Sequence, residues 1–149
     1  MRLGVLLAWL IAPAAVWADS SETPSEIVVQ QAHEMAEIIS HRDAAGLMKY
    51  IPETDKVVYV SAGFPITGNG YLKEIGDFYA SLKSLEFKWL RWETVQLSET
   101  VVIFTGWANT SFEKLTGERE AESAVFTMVW AREASGWKRV IAHKSILDD

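Results

Sequence analysis

Three side chains that can move a proton or hold a polar ligand stand together near the end of the chain. They are His143, Lys144 and Ser145, in the stretch GWKRVIAHKS (136–145). An imidazole titrates near neutral pH and serves as acid, base or hydrogen-bond partner. A lysine adds a positive charge suited to an acidic group. The same residues also fit a structural role, with His143 tying a strand end to a neighbouring backbone and Lys144 exposed to solvent. Lys144 and Arg139 fall on opposite faces of an ideal strand, so both can reach one site only if a bulge intervenes.

The other two histidines, His33 and His41, fall on the polar side of a helical pattern. Glu113, Glu118, Glu120 and Glu122 crowd the stretch FEKLTGEREAE. Oxygen ligands at such spacing could hold calcium. With Lys114 and Arg119 among them, they also read as the solvated tip of a hairpin. The sequence carries no metal motif, phosphate loop or nucleophile triad, and no cofactor is implied.

These residues need a scaffold, and 149 residues favour a single domain. The start, MRLGVLLAWLIAPAAVWA, has a basic residue, the apolar run Leu3–Val16, and small residues at Val16 and Ala18. It reads as a secretory signal peptide over residues 1–18, cleaved after Ala18, and is short for a membrane span. Residues 19–26 form a polar leader and 27–149 the domain. An exported, periplasmic or secreted protein is expected, off the membrane once the signal is removed. The net charge of −6 argues against nucleic acid as a partner. The chain has no cysteine, so packing alone must stabilise it.

Val28, Ala32, Met35, Ala36 and Ile39 recur at helical spacing. Asp43 can cap a short second helix, AAGLMKYI, which ends before Pro52. KVVYV (56–60) is a strand by its β-branched content, and SAGFPITG is a turn or short hairpin. Thr67 or Asn69 caps a third helix with Tyr71, Ile75, Phe78 and Leu82 on one face and Tyr79 beside them. Gly76 costs that helix about 1 kcal/mol, which close packing against a neighbour would explain. From Leu85 onward four β-rich runs are joined by short links, so neighbouring strands are antiparallel. The fold class is α+β, with the N-terminal helices packed on one face of a curved antiparallel sheet.

Both faces of the late strands are apolar. Val101, Ile103 and Trp107 alternate with Val102, Phe104 and Ala108, and Phe126, Met128 and Trp130 with Val125, Val129 and Ala131. Helices cover one face. A second subunit is the simplest cover for the other, so a homodimer is expected. Trp89, Trp92, Trp107, Trp130 and Trp137 all lie in this half, each able to bury about 150–250 Å². Trp89 and Trp92 have opposite parity and should point to opposite faces.

The helix HRDAAGLMKYI, the strand VVYVSAG, PITG leading into LKEIGDFY, and the hairpin FTMVWAREASGWKRVIAHKS together resemble the SnoaL-like group of the nuclear transport factor 2-like superfamily. The resemblance spans almost all of the chain after residue 18. It implies a cone, a strongly curved sheet wrapped around helices with a pocket inside, and commonly a homodimer through the sheet. The group holds ketosteroid isomerase, polyketide cyclases and the association domain of calmodulin-dependent kinases, so fold leaves function open. In the isomerases a carboxylate base follows the first strand. Here the matching place holds Val60 and Ser61, and the place of the second acid holds Phe126 and Met128, so that chemistry lacks two of its three groups. In the kinase association domains a basic residue between the His and the Ser faces a carboxylate pocket, and Lys144 matches it.

Tyr59, Tyr79, Trp89, Trp107, Met128, Trp130, His143 and Lys144 are the expected pocket residues. They imply an exported protein that binds a small, mainly apolar or weakly acidic molecule. Two other classes remain open: an isomerase, cyclase or hydrolase using His143 as acid or base, and an interaction module with its pocket filled by side chains.

Overall fold

A computed structural model describes residues 22–147, so the signal segment lies outside the described residues. Helix α1 spans Pro24–Ser40, with Thr23 as its N-cap and Glu26 closing a capping box. Residues 24–26, assigned above to the polar leader, are therefore its first turn. Thr23 supplies the acceptor, Pro24 the preset φ and Glu26 the return bond. Val28, Ala32, Met35 and Ala36 are buried, as their spacing requires. Helix α2 (Ala44–Leu47) is capped by Asp43, and α3 (Gly68–Ala80) by Thr67.

Strand β1 (Val57–Ser61) turns through Ala62 and Gly63, both at positive φ, into β2 (Phe64–Thr67). After α3 comes a meander of β3 (Leu82–Ser98), β4 (Val101–Lys114), β5 (Arg119–Glu133) and β6 (Gly136–Ile146). The six strands form one unclosed sheet in the order β2-β1-β6-β5-β4-β3, with β1 parallel to β6 and the other pairs antiparallel. Helix α1 packs on β3 and β4.

Val102, Phe104, Ala108, Ala124, Phe126, Met128 and Trp130 face the helices and are buried. Their alternates Val101, Ile103, Trp107, Val125 and Val129 are half-buried on the outer face. Two bulges disturb this alternation. In β3, Trp89 pairs with Ala108 but Arg91 with Trp107, so Leu90 is extra. The expectation that Trp89 and Trp92 point to opposite faces fails for that reason: the inserted residue returns Trp92 to the helix side, where its ring meets His33 edge-on at 4.5 Å. Trp89 Nε1 donates to the Ala32 carbonyl at 3.0 Å, pinning α1 to the sheet. Gly106 makes room for it, since a Cβ there would stand 2.5 Å from the Trp89 ring. Gly76 has no such role, because its missing Cβ would face open space.

In β6, Val129 pairs with Ile141 but Trp130 with Arg139, so Val140 is extra. This second bulge decides what enters the interior.

Candidate functional site

A cavity of about 140 Å³ opens between α3 and the helix-covered face of the sheet. Helix α3 contributes Tyr71, Ile75, Phe78 and Tyr79 at helical spacing, and α1 adds Ile39. The strands contribute Tyr59 from β1, Leu85 and Phe87 from β3, and Thr110 and Phe112 from β4. From β5 come Glu122 and Phe126, and from β6 Arg139 and Lys144. Aromatic packing fixes the walls: Phe78 meets Phe112 edge-on at 5.5 Å, and Phe87 meets Phe126 at 5.6 Å. Larger grooves, such as one of about 480 Å³ beside Lys88, Asn109 and Ser123, run along exposed strand ends and lack this apolar lining.

Polar groups gather at one part of the wall. Tyr59 and Tyr71 stand edge to face at 6.2 Å. The Arg139 guanidinium lies 5.5 Å from the Tyr59 ring centre and 5.1 Å from that of Tyr71. Arg139 is only 4% exposed, and its Nε and Nη2 are buried without a hydrogen-bond partner among the described residues. Burial pushes the Tyr59 phenol up to about 12 and also raises that of Tyr79. Both therefore stay protonated and can donate at neutral pH. Lys144 and Glu122 form an ion pair with side chains 14% and 24% exposed. Inside the wall the charges of Arg139, Lys144 and Glu122 leave an excess of one positive charge.

Of the residues expected from the sequence, Tyr59, Tyr79 and Lys144 line the cavity. The other expected residues do not. Trp89 lies behind Phe87 and Phe126, held by its bond to Ala32. Trp107 is on the outer face, beneath the Arg91 guanidinium at 3.7 Å. Its parity differs from that of Met128 and Trp130, because Trp107 pairs across the sheet with Val125. Met128 and Trp130 are core residues, with Trp130 fully buried and its ring 5.9 Å from that of Tyr50. His143 is exposed on the outer face, paired with Thr127 and Val60. Its Nδ1 is 3.5 Å from Ser145 Oγ, and no carboxylate bonds it among the described residues.

The sequence left Arg139 off the face of Lys144 unless a bulge intervened, and Tyr71 and Glu122 were not among the expected cavity residues. Tyr71 carried a signal, since it heads the apolar stripe of α3. Nothing local marks the bulge at Val140, which places Arg139 on the same face as Lys144. Glu122 was grouped with the acidic hairpin tip. Glu113, Glu118 and Glu120 do belong there, bonded to Lys83, Lys114 and Arg119. Glu122 is one register step further in and turns to Lys144. Among the described residues no group of three or more His, Cys, Asp or Glu is placed to hold a metal ion.

The SnoaL-like domain family matches residues 28–149. No curated protein sequence matches the chain. Solved structures share the fold at low identity. A candidate aromatic ring hydroxylase of Novosphingobium aromaticivorans is 12% identical with a TM-score of 0.74, covering 86% of this chain and 94% of that one. A nuclear transport factor 2-like superfamily protein of Salmonella enterica is 11% identical with a TM-score of 0.70, covering 83% and 90%. A hexachlorocyclohexane dehydrochlorinase of Novosphingobium barchaimii is 13% identical with a TM-score of 0.69, covering 83% and 87%.

Proposed function

The chain belongs to the SnoaL-like domain family, and from that premise we propose that it is an exported protein that binds a small, mainly apolar molecule in the cavity under α3. The observation that carries this reading is the cavity itself, walled by Phe78, Phe87, Phe112 and Phe126 with a few phenols and charges on one side. A concave apolar site with a few convergent polar groups is the usual form of a small-ligand site. The cavity counts against an interaction module whose interior is filled by side chains. His143 lies outside it, which removes the support for acid–base catalysis by that residue. Export rests on the basic and apolar start of the sequence and the small residues before Asp19.

Two copies pairing through the outer face belong to the same proposal. Val95 and Ile141 are more than half or half exposed there, on either side of the half-buried Ile103 and Val129 with which they form one cross-sheet row. A two-fold contact covers this row in both copies. Light scattering with gel filtration should report twice the chain mass, and a monomer at micromolar concentration would remove the dimer. Native mass spectrometry of protein isolated from its own host tests the binding role. A small organic adduct, lost when Ile75→Trp fills the cavity, is the expected result. An adduct that survives that substitution places the ligand elsewhere.

A further inference from the structure

Among the described residues, Arg139 is a buried arginine without a counter-ion. Arg139 forms no ion pair among the described residues, and two of its three side-chain nitrogens are buried with no hydrogen-bond partner. The one carboxylate in the same wall, Glu122, is engaged by Lys144. Burying a guanidinium is costly unless something of opposite charge meets it. Here the protein does more than tolerate the charge. It spends a bulge at Val140 to bring Arg139 to the inner face and lays two tyrosine rings beside it.

Resting on the cavity reading above, we propose that Arg139 anchors the carboxylate of a small monocarboxylic acid whose aromatic or branched apolar body fills the cavity. A guanidinium makes strong charge-assisted hydrogen bonds to a carboxylate. One excess positive charge in the wall suits a singly charged group better than a phosphoryl dianion. The phenols of Tyr59 and Tyr71 stand next to the anchor, and Phe87, Phe112 and Phe126 form the apolar part. Size sets the body: a dry apolar cavity of roughly 150 Å³ takes up benzene, and this one measures about 140 Å³. A benzoate-like or short branched-chain acid fits both ends.

The test is calorimetric titration of the full chain without residues 1–18, using benzoate, benzamide and inorganic phosphate. Benzoate should bind about ten-fold or more tighter than benzamide, the usual gain from a charged over a neutral hydrogen-bond partner. Phosphate should bind more weakly than benzoate. In Arg139→Met the two aromatic ligands should bind alike. The wild-type comparison stands even if that variant fails to fold, and its preference should vanish below about pH 4, where benzoate protonates. Equal binding of benzoate and benzamide, or a preference that survives Arg139→Met, overturns the carboxylate anchor and leaves the apolar cavity reading standing. Phosphate binding more tightly than benzoate overturns the monocarboxylate assignment. If neither aromatic ligand binds, the cavity reading falls and the anchor with it.

Discussion

Arg139→Met should make the ligand-free protein more stable. Methionine keeps the length and flexibility of the side chain and removes the charge. The backbone N–H of residue 139, which donates to the Tyr50 carbonyl at 2.7 Å, is unaffected. Two buried nitrogens without partners cost about 1–3 kcal/mol each. The contacts with Tyr59 and Tyr71 return about 0.5–1 kcal/mol each, or somewhat more when desolvated. The balance favours the variant by up to about 5 kcal/mol, and apolar replacement of buried ion pairs gains about 1–4 kcal/mol. For a chain of this length each kcal/mol moves the melting temperature by about 3–4 °C. Scanning calorimetry of both proteins at pH 7 should therefore show a rise of several degrees in the variant. Saturating benzoate should narrow the gap by stabilising the wild type more than the variant. A fall in melting temperature of more than about 4 °C, equal to about 1 kcal/mol lost, would refute the reasoning. It would mean that the guanidinium is already compensated in the free protein and needs no anion.

Gly106→Ala should destabilise by about 1–3 kcal/mol, because the new Cβ would stand 2.5 Å from a Trp89 ring held by Ala32; urea unfolding followed by tryptophan fluorescence measures it. His143→Ala should change stability by no more than about 0.5 kcal/mol and leave ligand affinity unaltered, since the ring is exposed and outside the cavity; a large loss of affinity by calorimetry would return His143 to the site. The Glu34 carboxyl is held below its usual value first by the hydrogen bond from Tyr50. A depressed carboxyl stabilises the fold above its unfolded value and loses that contribution as pH falls through the folded value. Tyr50→Phe should therefore flatten the acid limb of a melting-temperature profile below about pH 4.5, the ordinary glutamate range; an unchanged limb would assign acid sensitivity to other groups.

Much of the frame is written locally. Asp43 and Thr67 name the starts of two helices because each side chain can accept from the first turn. The apolar stripe of α1, the four long strands and their short links follow from the periods of helix and strand, and the resemblance to SnoaL-like proteins rests on their order. Tyr59 and Tyr79 were named for their aromatic rings in the first strand and third helix, and Lys144 only through the resemblance to the kinase association domains. Thr23 and Glu26 also carried a helix-start signal, hidden only by the polarity of their neighbours.

The tertiary structure decided the rest through single inserted residues. Leu90 in β3 turns Trp92 back to the side of Trp89, and Val140 in β6 puts Arg139 on the face of Lys144. A strand repeats every two residues, so one extra residue exchanges inside for outside for everything beyond it. Nothing in VIAHK marks which residue will be left unpaired, since that depends on how β6 meets β5 on one side and β1 on the other. The sequence by itself determined which elements form and that they pack as an α+β domain. Only the packed sheet decided that a lone arginine would be buried in the cavity while the histidine beside Lys144 faced outward, because side-chain direction in a bent strand is set by its neighbours.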